Sequence, residues 1–82
     1  MTIATITSTN SQPQNSFVIV NYTLTSDSLP TLNMQESANF NLTMSLDDIK
    51  ASLQNRANQV QVIIEQLPDY TPLIGQQINS DT

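Results

Sequence analysis

The chain has 82 residues and a net charge of −5, with Lys50 and Arg56 as its only basic side chains. Two cations beside seven carboxylates argue against a nucleic-acid or anionic-membrane partner, because both are held by arrays of Lys and Arg. With no Cys and no His there is no disulfide, thiol or imidazole chemistry. A core of this size rarely yields more than about 3–5 kcal/mol, so association with further copies or a larger neighbour is the expected staple.

Residues 1–16 are polar and form either an N-terminal arm or an edge strand. Ala4 and Ile6 share one face of an extended chain, and the threonines favour a strand. Asn10, Ser11, Gln12 and Pro13 have turn chemistry, which places the end of any strand near Thr9. A frayed terminus and an arm lying on a neighbouring subunit both fit. The segment has no basic stretch followed by an apolar one, so a secretory signal is not expected. The longest apolar run, residues 17–20, is far short of a membrane span.

Residues 17–67 read as a ββα core. Over residues 17–25, Val18, Val20, Tyr22 and Leu24 share one face of a strand, while Phe17 and Ile19 lie on the other. Apolar side chains on both faces imply that something covers the second one, either the chain's own arm or a partner. Residues 26–37 are expected to loop, broken by Asp27, Ser28 and Pro30. Leu29, Leu32 and Met34 within the loop either fold back to cap the core or line a binding groove. Strict alternation over residues 38–45 predicts a second strand, antiparallel to the first, whose face Phe40-Leu42-Met44 would seat a helix.

At Ser45 the period changes to steps of three and four. Leu46, Ile49, Leu53, Ala57, Val60, Ile63, Ile64 and Leu67 predict one helix face over residues 46–67. Ser45 is placed to cap it, with Asp47 and Asp48 against its positive end. Such a helix, about 33 Å long, is longer than a two-stranded sheet needs. Its far end, with Val60, Val62 and Ile63, is expected to overhang or meet another chain. The alternating β-branched run from Val60 also fits a strand. Pro68 ends the element in either case.

Residues 68–82 form a tail in which Leu73 and Ile74 make an apolar hook. The hook either packs back on the helix or extends into a neighbour. The fold class is thus α+β, an antiparallel hairpin, with or without a third N-terminal strand, against one long helix and flanked by extended arms.

No constellation for catalysis, cofactor binding or metal binding is evident. Asp47-Asp48 is the only adjacent carboxylate pair, and capping explains it. A single glycine leaves no phosphate-binding loop. Lys50 and Arg56 are expected on the solvated side of the helix. The candidate interface residues are Phe17, Ile19, Leu29, Leu32, Met34, Val62, Ile63, Leu73 and Ile74.

Thr, Asn, Gln and Ser dominate the polar positions, notably over residues 2–15, 39–43 and 76–82. In this composition and organisation the chain resembles the small structural proteins of bacteriophage particles, such as capsid decoration proteins and tail or neck accessory proteins. The resemblance implies a subunit, homo-oligomeric or embedded among other assembly proteins, that covers or bridges them through arms and strand edges. It further implies a location in the virion or the host cytoplasm, with no cofactor and no enzymatic activity. A small free regulator, such as a phage-encoded inhibitor or assembly chaperone with one exposed groove at Leu29, Leu32 and Met34, is the alternative.

Overall fold

The alternating stretch from Phe17 becomes the middle of a sheet. In the computed structural model, which describes residues 1–80, β1 (Thr2–Gln12), β2 (Phe17–Ser26) and β3 (Met34–Asn41) precede one long helix, α1 (Leu46–Glu65). The sheet is antiparallel in the order β1-β2-β3. The protein is therefore α+β, a hairpin extended by a third, N-terminal strand and packed against one helix.

The N-terminal segment is an edge strand, and it outruns its expected end. Asn10, Ser11 and Gln12 pair with Ile19, Val18 and Phe17. Backbone pairing to a strong neighbouring strand overrides their turn chemistry, and the break waits for Pro13, which opens a short 3-10 turn. Between Ile6 and Ser8 the register slips, so Thr7 is an extra, bulged residue. Ser16 closes the turn in the left-handed region, at φ 61°.

β3 is displaced from the expected position. It starts at Met34, opposite Leu24, and ends at Asn41. The Asn41 side-chain oxygen accepts hydrogen bonds from the Thr43 backbone N–H (2.9 Å) and hydroxyl (2.8 Å), which turns the chain before the expected end of the strand at Ser45. Leu42 consequently lies exposed and outside the expected helix seat. The seat is instead the β2 face, Val20, Tyr22 and Leu24, packed against Ile49, Leu53, Ala57 and Val60 of α1. Phe40 and Met44 border this core.

Helix α1 begins as its sequence suggests. The Ser45 hydroxyl accepts from the Asp48 N–H at 3.1 Å, and Asp47 and Asp48 occupy the first turn. The run from Val60 stays helical to Glu65. The helix runs antiparallel to β1: Leu46 and Ile49 stand near Thr9 and Ser11, and at the other end the Thr2 hydroxyl donates to the Gln61 side chain at 2.7 Å. The overhang therefore starts later than expected. Strands of ten and eleven residues carry the sheet beneath Val60, which is buried, and only the final turn projects.

Candidate interaction surfaces

Each face of the sheet follows from strand alternation. The helix-side face of β3 carries Met34, Glu36, Ala38 and Phe40, all half-buried. Glu36 is thus a carboxylate pointing inward from an edge strand. Arg56 of α1 meets it with two hydrogen bonds, Nε to Oε1 at 2.9 Å and Nη2 to Oε2 at 2.7 Å. The Tyr22 hydroxyl donates to the same carboxylate at 2.9 Å. The Arg56 bonds hold the Glu36 carboxyl below the usual glutamate range. Burial, then the Glu36 hydrogen bond, raises the Tyr22 phenol. Arg56 is therefore committed to a partner and is not the solvated charge its position suggested. It adjoins the buried Ala57 and lies three residues from the buried Leu53, at the flank of the apolar stripe, where its stem packs and its head reaches the sheet.

The opposite face of the sheet has no helix on it. Ile3, Thr5, Ser8, Asn10 and Gln12 of β1 stand beside Phe17, Ile19, Asn21, Thr23 and Thr25 of β2, and then Gln35, Ser37, Asn39 and Asn41 of β3. None of these residues is charged. Asn21 ties the three strands together: its amide donates to Ser8 Oγ at 2.9 Å, and its oxygen accepts from the Ser37 hydroxyl. The bulged Thr7 hydroxyl donates to the Asn21 carbonyl at 3.1 Å. The shallow hollow around Asn21, about 470 Å³, thus has its central side chain engaged within the sheet.

The nine candidate interface residues fall in three places. Phe17 and Ile19 lie half-buried on the uncharged face, between Gln12 and Asn41 and between Asn10 and Asn39 respectively. No other segment of the described chain covers that face. Leu29 is half-buried in the β2–β3 loop, while Leu32 and Met34 pack against the core. Those two lie at the core's edge. Val62 and Ile63 are exposed on the last turns of α1, and Leu73 and Ile74 are exposed beyond it.

Every residue from 66 to 80 is exposed, including Leu67, Tyr70 and Ile78. The tail does not pack back on the helix. Asp69 organises its one short 3-10 turn (Thr71–Leu73), accepting from the Thr71 N–H at 3.0 Å and hydroxyl at 2.6 Å. These bonds hold the Asp69 carboxyl below its usual range.

One surface was not foreseen from the sequence. Between β1 and α1 run two adjoining hollows of about 280 and 290 Å³ that share Ile6 and Lys50. Their walls include Ile3, Leu46, Ile49 and Leu53. Ile6 and Leu46 are exposed here, because the helix covers the β2 face and leaves β1 only partly covered. The signal was present in Ala4 and Ile6, which share the helix-side face, but it could not be used without knowing that this segment is an edge strand.

No described protein family matches the chain, and no curated protein or solved structure was found to be similar to it.

Proposed function

We propose that the protein is a non-enzymatic structural subunit of a larger protein assembly, most consistent with a bacteriophage virion component of the capsid-decoration or tail- or neck-accessory kind. The observation that carries this reading is the apolar surface left bare at the C-terminal end. Val62, Ile63, Leu67, Tyr70, Leu73 and Ile74 extend from the last turns of the helix into a tail whose residues 66–80 are all exposed. Exposed apolar side chains in such density are the mark of a surface that is covered in the working state. The uncharged sheet face adds a second flat surface suited to close packing without desolvating charge.

Two further features support the reading. Arg56 is engaged with Glu36, which leaves Lys50 as the one unpaired cation among the described residues and speaks against phosphate-backbone binding. Leu32 and Met34 pack against the core, which favours the reading that they cap it over the one in which they line a regulator's groove. No helix among the described residues is long and apolar enough to cross a membrane. The site of action that goes with this role is the virion, or the host cytoplasm during assembly.

The test is absolute mass by light scattering after size exclusion, over a range of protein concentrations. A closed homo-oligomer is the expected result. A folded monomer at every concentration would overturn the homo-oligomeric form of this reading and point to a different partner protein or to a free regulator.

A further inference from the structure

Two bare apolar surfaces of this chain complement each other. The first is the groove between β1 and α1, with Ile6 and Lys50 at its centre. No carboxylate lines it, and Lys50 is the only charge within it. From Leu46 to Ala57 the groove follows the helix for about 16 Å at 1.5 Å per residue, room for about five extended residues. The second surface is the tail. Among residues 66–80 the single charge is Asp69, followed by Tyr70, Leu73 and Ile74. Sign and polarity match: an apolar groove with one cation, and an apolar segment with one anion.

The tail does not occupy its own groove in this structure. It leaves the helix at the end remote from Leu46, and the molecule extends 54 Å along its longest axis. Resting on the assembly-subunit reading above, we infer that the groove receives the tail of a second copy of the chain, with the Tyr70–Ile74 region seated against Ile6 and Lys50. Pro68 and Pro72 restrict the tail before it binds, which lowers the ordering entropy that docking costs. A reciprocal exchange would place tail and groove from each copy in one interface, of the order of the 20–30 residues a side, about 800 Å² per partner, found in stable complexes.

The absence of cysteine makes the test direct. Two full-length variants, Gln54→Cys in the groove and Ile74→Cys on the tail, are differently tagged, mixed and treated with a short bis-maleimide. Both positions are exposed, so neither substitution disturbs the core. The expected product is the mixed Gln54–Ile74 dimer, several-fold over either self-linked dimer. Lys50→Glu in the groove variant should lower that yield several-fold, and Asp69→Lys in the tail variant should restore it. If the unmodified protein is oligomeric by light scattering but the mixed product does not form, the tail-in-groove contact is overturned and the assembly reading stands. If a doubly substituted chain links only within itself, the groove belongs to its own tail and the inference is likewise overturned. A protein that stays monomeric throughout refutes both the tail exchange and the homo-oligomeric form of the assembly reading.

Discussion

Glu36 shows how one residue serves two ends. On an edge strand, an inward-pointing carboxylate discourages pairing with another chain, because a further strand cannot satisfy it. Here Arg56 and Tyr22 satisfy it from within. Both charged side chains keep some exposure, 34% for Arg56 and 22% for Glu36, so solvent screening reduces the pair to about 1 kcal/mol. Glu36→Gln should lower the unfolding free energy at neutral pH by about that amount. Because the folded carboxyl titrates below the unfolded one, its contribution is complete above the ordinary glutamate range, about pH 4.3. It is lost as pH falls through the lower, folded value. Urea titrations of the wild type and of Glu36→Gln from pH 7 to pH 2 should therefore converge at the acid end. Ser16 offers the opposite kind of substitution. Left-handed backbone costs a residue with a Cβ about 1–2 kcal/mol, partly offset in a glycine variant by the greater freedom of its unfolded chain. Ser16→Gly should raise stability by up to about 1 kcal/mol in the same assay.

At the scale of elements, the core rests on a single strand face meeting a single helix stripe. Leu24 is fully buried between them. Leu24→Ala should cost about 2–5 kcal/mol, comparable to the whole stability expected of so small a core. Circular dichroism should show a largely unfolded chain unless assembly compensates. Ser45→Ala removes only the cap and should cost about 0.5–2 kcal/mol, visible as a lower melting temperature with the fold retained. These elements were legible because local signals agreed. Alternation in β2, the change of period at Ser45, the cap and the stripe Ile49-Leu53-Ala57-Val60 all point to one arrangement. Other features were not legible because they depend on pairing. The start of β3 at Met34 is set by its register with Leu24, and the strand character of Asn10-Ser11-Gln12 is set by β2. Had β3 been begun at Met34, Glu36 would have fallen in phase with Ala38 and Phe40, and its need for a partner such as Arg56 would have followed. Of the candidate surfaces, the apolar helix end and tail were visible as runs of residues. The β1–α1 groove needed the third dimension.

The whole molecule is long for its mass. Its radius of gyration is 17.8 Å, against about 12 Å for a compact domain of this length, and the tail accounts for much of the difference. Ile63 belongs to the projecting part, more than half exposed. A charge there meets water in the isolated chain, so Ile63→Asp should leave the circular dichroism near wild type while shifting the light-scattering mass to the monomer and lowering the melting temperature by whatever assembly contributed. Loss of folding in that variant would mean that the helix end is held by contacts within the chain.

The order of elements has a consequence during synthesis. β1 is held by an element made well after it, since α1 lies along β1 and also covers Val20, Tyr22 and Leu24 of β2. A ribosome adding about 5–20 residues per second needs some two to eight seconds to pass from Leu24 to Glu65. Through that interval the emerging meander has a greasy face and an open rim, with nothing of its own to lay across them. A message or nascent chain cut short before the helix thus leaves a sticky three-stranded remnant, so productive folding awaits synthesis of the helix.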